Sequence, residues 1–124
     1  MANELTLSIA ASFSKSGIRA DTSDMGLLGL QFTVTGSDFV KGTQSVGTTA
    51  ELLGKGEITT PGYLIIKNTD ATNYVEVEKA TFTTAAGTVK LKAGEVAMFR
   101  SSSTTPYVCA NTAACVISYL FIED

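Results

Sequence analysis

Residues 63–78 read YLIIKNTDATNYVEVE, and this stretch decides the fold class. It begins with a short continuous apolar run over 63–66, which is typical of a strand buried in the centre of a sheet. Residues 68–73 are turn chemistry throughout, because Asn and Asp side chains can bond their own following backbone amides. Residues 75–78 then alternate valine with glutamate, which predicts a strand with its valines inside and its glutamates outside.

Similar strand-and-turn patterns occupy the rest of the chain. The first segment alternates over 5–14, which predicts one strand with a single buried face. Its apolar positions are Leu5, Leu7, Ile9, Ala11 and Phe13. Residues 15–25 are polar and are expected to form a loop, and further strands are expected over 30–34, 89–91, 96–100 and 107–110. A strand region is also expected over 39–53, broken by Gly42 and Gly47. The last strand, 114–122, is apolar on both faces, so it is either a central strand or in contact with another subunit.

The strand pattern predicts an all-β, single-domain antiparallel β-sandwich, jelly-roll-like, with about 8–9 short strands. The domain is expected to span 1–124, with 1–25 forming an N-terminal strand plus an interacting arm. A chain of 124 residues is long enough to bury a core. It has 18 Thr, 11 Ser and 11 Gly, which favour strands and turns over helices.

Composition excludes several classes of function. Nine basic and twelve acidic residues give a net charge of −3, which supplies no basic patch for nucleic acid. The absence of histidine removes the commonest general base and the commonest metal ligand. No signal-peptide pattern and no apolar run of about 20 residues occurs, so we expect no membrane segment.

The few candidate chemical sites favour ordinary structural roles. Glu76 and Glu78 share one strand face and are expected to be solvated. Asp70 lies between Asn68 and Asn73, and this is expected to be a turn because a calcium site needs several acidic ligands.

Other short signals are equally weak. Gly54-x-Gly56 lacks the lysine of a phosphate loop, so it is expected to be a flexible connection. Lys90 and Lys92 form a small basic stripe, expected to be solvated or to face a partner. Four tyrosines could stack on sugars, although core and rim positions are commoner for them; they are Tyr63, Tyr74, Tyr107 and Tyr119.

Cys109 and Cys115 are the two cysteines of the chain. They are expected to be small, reduced core or interface residues. A bridge across a hairpin is the alternative, whereas a metal site lacks further ligands.

Three stretches carry a resemblance to a known family. They read PGYLIIKNTDATNYV over 61–75, LKAGEVAMFR over 91–100 and ANTAA over 110–114, and the chain closes on Ile122-Glu123-Asp124. The pattern resembles small β-sandwich structural proteins in the virions of tailed bacteriophages, in particular head decoration or cement proteins. The resemblance implies a non-enzymatic building block of the virion, made in the host cytoplasm.

We therefore expect a capsid decoration protein that needs no cofactor. It would bind the major capsid protein or other virion proteins as a homo-oligomer on the particle, with no nucleic-acid or membrane partner. The expected contact residues are Leu5, Leu7, Ile9, Phe13, Val116, Leu120 and Ile122. The alternatives are a tail, neck, baseplate or fibre component, and a carbohydrate-binding host-attachment module.

Overall fold

A computed structural model describes residues 4–124, which form strands and no helix. This confirms the predicted all-β class. The described chain contains twelve strands rather than 8–9. The strands are β1 (Leu5–Leu7), β2 (Ser12–Lys15), β3 (Ile18–Asp21), β4 (Leu30–Phe32), β5 (Phe39–Val46), β6 (Glu51–Leu52), β7 (Pro61–Asn68), β8 (Val75–Glu78), β9 (Val89–Leu91), β10 (Val96–Arg100), β11 (Tyr107–Ala110) and β12 (Cys115–Glu123).

The chain divides into two compact units, one up to Thr35 and one from Gly36 to Asp124. The boundary falls ten residues after the end of the predicted arm over 1–25, and the expectation of one domain over 1–124 stays a prediction.

The larger unit contains two antiparallel four-stranded sheets, consistent with the predicted small β-sandwich. The first sheet has the order β10-β7-β12-β5, and the second has the order β6-β11-β8-β9. Buried side chains of both sheets, such as Leu64 and Phe121 from the first and Val77 and Val108 from the second, form one hydrophobic cluster. The jelly-roll detail stays a prediction.

The last strand, β12, is central in the first sheet, between β7 and β5. This is one of the two alternatives that its two apolar faces allowed. Ile117, Tyr119 and Phe121 face inward and are buried. Tyr119 lies opposite Ile66 and Phe121 lies opposite Leu64 on β7, so the core side of this pair is continuous.

The second sheet corrects one prediction. Val75 and Val77 are buried as expected, but Glu76 is also buried, with 4% of its surface exposed. The loop over 79–88 covers its side of the sheet, because the Ala85 amide donates to the Glu76 carboxylate. Gly87 approaches so closely that an added Cβ would lie 2.7 Å from the Glu76 Cβ.

The N-terminal unit corrects two further predictions. The alternating segment is not one strand: β1 pairs with β4, and after a break β2 pairs with β3 in a hairpin. The hairpin replaces part of the loop expected over 15–25. Its turn is Ser16-Gly17, with φ of 50° and 81°, and glycine adopts this left-handed region without a steric penalty.

The strand region over 39–53 is interrupted at Gly47, as the sequence predicts, but β5 continues through Gly42. β5 ends at Val46, and β6 pairs with β11 in the other sheet. The Gly47 amide donates to the Glu51 carboxylate over 3.1 Å, so the chain turns between the two sheets at this point.

Candidate interaction surfaces

The described residues, 4–124, contain no group of three or more His, Cys, Asp or Glu that could hold a metal ion. Glu76, the buried member of the glutamate pair, accepts a hydrogen bond from the Ala85 amide in the turn over 84–85. Glu78 accepts from the Thr88 hydroxyl at 2.5 Å and from the Lys79 amide at 2.7 Å. These bonds lower the pKa of Glu78 from its usual range, and the bond from Thr88 is the larger cause. The oxygens of this pair therefore serve the local fold.

Asp70 forms the turn that the sequence predicts. Its carboxylate accepts from the backbone amides of Asn73, at 2.7 Å, and Thr72, at 2.9 Å. These bonds lower the pKa of Asp70, the Asn73 bond being the stronger cause. The buried Asn68 side chain donates to the carbonyls of Asn73 and Leu91, which fixes the other side of the turn.

The tyrosines lie in different environments. Tyr119 is buried, and its hydroxyl donates to the Gly54 carbonyl at 2.6 Å; burial raises its pKa. Tyr63 lies on the first sheet beside Arg100, with 4.5 Å between the guanidinium carbon and the ring centroid. The Tyr74 ring, which precedes β8, lies with its centroid 4.0 Å from the Lys90 ammonium, so one lysine of the basic stripe contacts an aromatic ring.

A cavity of about 270 Å³ lies in the larger unit. Its walls include Glu78, Phe99, Arg100 and the serines over 101–103, but none of the four tyrosines. The stacking residues of the carbohydrate hypothesis are therefore separate from this cavity.

Both cysteines are buried free thiols. Cys109 lies 3.1 Å from the Thr84 hydroxyl, below the loop that covers the second sheet. Burial is the main cause that raises the pKa of Cys115. Both residues lie in the interior as the sequence predicts, and the structure has no bridge between them.

The expected contact residues of the last strand share one surface. Val116, Leu120 and Ile122 alternate with the inward residues, so they lie on the outer face of the first sheet. Val116 is 45% exposed, and the other two are partly exposed. The structure therefore places this part of the expected contact on a single sheet face, which we call the outer sheet face.

Neighbouring strands enlarge the outer sheet face. Leu120 lies opposite Ile65 of β7 and Lys41 of β5, and Ile65 lies opposite Met98 of β10. Phe39 lies opposite Ile122. The outward residues are, by strand, Phe39, Lys41, Thr43 and Ser45; Tyr63, Ile65 and Lys67; Val96, Met98 and Arg100; and Val116, Ser118, Leu120 and Ile122.

The expected contact residues of the first segment belong to the N-terminal unit. Leu5 and Leu7 lie opposite Phe32 and Leu30 and are partly exposed. Phe13 is on the hairpin and is 53% exposed. The structure therefore does not place all four residues, Ile9 included, on one continuous strand.

No residue of the N-terminal unit between 4 and 35 is buried. Its large apolar side chains Ile18, Met25 and Leu28 are 65%, 62% and 73% exposed. A unit of this size without a core depends on contacts outside itself for stability.

The β2–β3 hairpin has two unlike faces. Phe13 lies opposite Ala20, and Lys15 lies opposite Ile18, so these four share one side. The other side has Ser12, Ser14, Arg19 and Asp21. We call the first side the hairpin face; Phe13 and Ile18 make it apolar, and it is uncovered.

Sequence reasoning missed several members of these surfaces. Ile18 is one apolar residue in a polar segment, and the Ser16-Gly17 pair before it is a hairpin-turn signal. Phe39 and Val96 are both 62% exposed. Each follows a turn segment and starts a strand, so periodicity alone does not distinguish it from a core position.

The described part of the chain has no helix long and apolar enough to cross a membrane. Comparisons of the chain with protein-family models, curated proteins and solved structures found no match.

Proposed function

We propose that this chain is a non-enzymatic structural protein of a bacteriophage virion, a decoration protein that binds the outer head surface and stabilises the shell. The observation that carries the proposal is the uncovered apolar surface of the N-terminal unit. Monomeric soluble proteins seldom leave contiguous apolar patches uncovered, and larger ones mark interaction sites. The sequence resemblance over 61–75 and 91–100 supports the choice of a virion as the place of this contact.

The two units differ in the roles that their structures support. The larger unit has the buried core, with eight strands around Leu64, Ile117 and Phe121. The N-terminal unit and the outer sheet face supply apolar side chains for contact. A sandwich with separate contact surfaces suits a building block. The carboxylates of Asp70, Glu76 and Glu78 each accept a hydrogen bond from a backbone amide of a turn or loop.

Stabilisation of the shell follows from mass action. A protein that binds the assembled lattice but not its free subunits shifts the equilibrium toward the intact shell. Many copies bound at equivalent lattice positions would add their contributions. We propose that these copies form a homo-oligomer on the particle, in contact with the major capsid protein.

Fractionation of virions tests the proposal. Heads and tails are separated, and the chain is quantified in each by mass spectrometry against the major capsid protein. A decoration protein should occur in hundreds of copies on heads, and heads that lack it should break at lower temperature. A few copies confined to tails would instead indicate a tail, neck or baseplate component.

A glycan array on the purified chain tests the carbohydrate alternative. Single Tyr63→Ala and Tyr107→Ala variants serve as matched probes from the two sheets. Binding of a defined glycan that either substitution abolishes, together with absence from heads, would replace the decoration proposal with host attachment.

A further inference from the structure

The hairpin face and the outer sheet face have the same charge pattern. The hairpin face includes Lys15 between Phe13 and Ile18. The outer sheet face includes Lys41 and Lys67, both exposed. Within the described strands, the hairpin face has no Asp or Glu. The outer sheet face has one, Glu123 at the end of β12 opposite Pro61, and its carboxylate accepts from the Thr59 and Ser37 amides.

The carboxylates that adjoin these strands make local contacts, and Asp38, just before β5, accepts from the Phe39 amide. Asp21 lies on the opposite side of the hairpin and accepts from Ser23, which is a local contact. Asp124 follows β12 and forms an ion pair with Arg100 at one corner of the outer sheet face. The lysines are therefore the uncompensated charges of both faces, in a chain whose net charge is −3.

This pattern discriminates between possible partners. A second copy that met either face with either of its own would bring lysine against lysine around the apolar centre. Like charges across an interface suppress such a pairing, whereas opposite charges steer and align it. The two faces thus fit a surface that is apolar at its centre and acidic around it.

We infer that the partner is an acidic protein surface, and that Lys15, Lys41 and Lys67 supply the ionic part of the contact. The inference rests on the proposed function, which places that surface on the virion. Each face would then meet acidic groups of the partner with its own lysines.

The test measures binding of the purified chain to particles assembled without it. The bound fraction is measured by sedimentation, with and without nuclease treatment of the particles, from about 0.05 to about 0.5 M NaCl, a range over which screening becomes strong. The test variant combines Lys15→Gln, Lys41→Gln and Lys67→Gln. The control combines Lys79→Gln, Lys90→Gln and Lys92→Gln, which changes net charge equally but outside both faces.

We expect binding of the unchanged chain to weaken as salt rises. The test variant should bind with a Kd about tenfold higher at low salt, which corresponds to about 1.4 kcal/mol. The control variant should stay within about twofold of the unchanged chain, because exposed charges outside an interface contribute little. Circular dichroism spectra of all three chains should agree.

Each contrary result would overturn a different claim. An unchanged chain that does not bind particles at any salt concentration would overturn the proposed function. Binding that ignores salt and is equal in both triple variants would keep the proposed function and overturn the acidic partner. Binding that nuclease abolishes would identify nucleic acid instead, and dimers in solution that Phe13→Ser dissociates would assign the hairpin face to a second copy.

Discussion

Replacement of Phe121 by alanine should lower the melting temperature far more than the same replacement at Phe13. Phe121 is fully buried at the centre of the first sheet, opposite Leu64. Removing a buried phenylalanine costs about 3–5 kcal/mol, since the cavity left behind refills only in part. At about 4 °C per kcal/mol for a domain of this size, the melting temperature should fall by about 12–20 °C.

Phe13 should behave differently because 53% of its surface is already exposed. Full burial of such a side chain is worth about 1.5–3 kcal/mol, so roughly half of that, about 1 kcal/mol, is at stake. The expected fall in melting temperature is about 4 °C. Binding to particles should instead be weakened more by Phe13→Ala than by Phe121→Ala, since Phe13 belongs to the hairpin face.

The assay is thermal unfolding of the two variants by circular dichroism, paired with sedimentation on particles at a temperature where both are folded. Phe13→Ala should keep its fold and lose binding, and Phe121→Ala should lose stability but bind while folded. Equal losses of stability at the two positions would refute the assignment of the core to the larger unit. Unchanged binding of Phe13→Ala would remove the hairpin face from the contact.

Three further substitutions test the interior and the C-terminal end. Gly87→Ala should destabilise by about 1–3 kcal/mol in urea titrations, since the added Cβ would lie 2.7 Å from the Glu76 Cβ. Tyr119→Phe should cost about 1 kcal/mol in the same titrations, because the Gly54 carbonyl loses its donor. The pKa of the Glu123 carboxyl is lowered from 4.5, and the main cause is the hydrogen bond from the Thr59 backbone amide. Ionised Glu123 therefore stabilises the fold above about pH 4.5, and this stabilisation is lost as the pH falls through the lower pKa of the folded state. Glu123→Gln should flatten that acid limb in melting curves recorded against pH, and an unchanged limb would contradict the assignment.

The sequence predicts the larger unit well because a strand with a core on one side has apolar residues at every second position. The strand over 96–100 and the strand over 107–110 have the predicted bounds, and the turn before Tyr74 uses the predicted Asn and Asp bonds. Glu76 is the exception. Its alternation with valine correctly places it on the other side of the sheet, but a loop distant from it in sequence covers that side, and periodicity contains no information about such cover.

The N-terminal unit is harder to predict because burial does not organise it. Leu5, Leu7 and Phe13 have the spacing of one half-buried strand, yet the chain breaks before Ser12 and turns at Gly17. The alternation predicts only that these side chains share a side within each strand. Which side is covered depends on what lies against it, and in the described residues up to Thr35 no side chain becomes buried.

This absence of burial has a consequence for the energetics of binding. Two-stranded ribbons are marginal in water without a covered apolar face, and the hairpin of β2 and β3 is such a ribbon. A partner that covers Phe13 and Ile18 would therefore supply part of the free energy that holds the hairpin in shape. Some of the gross contact energy would be spent on that ordering, so the affinity per unit of buried area would be lower than for a preformed surface. The outer sheet face has no such cost, because its strands are held by the buried core beneath them. Contacts there should contribute to affinity in proportion to the area they cover, while contacts at the hairpin should make binding and local folding a single cooperative event.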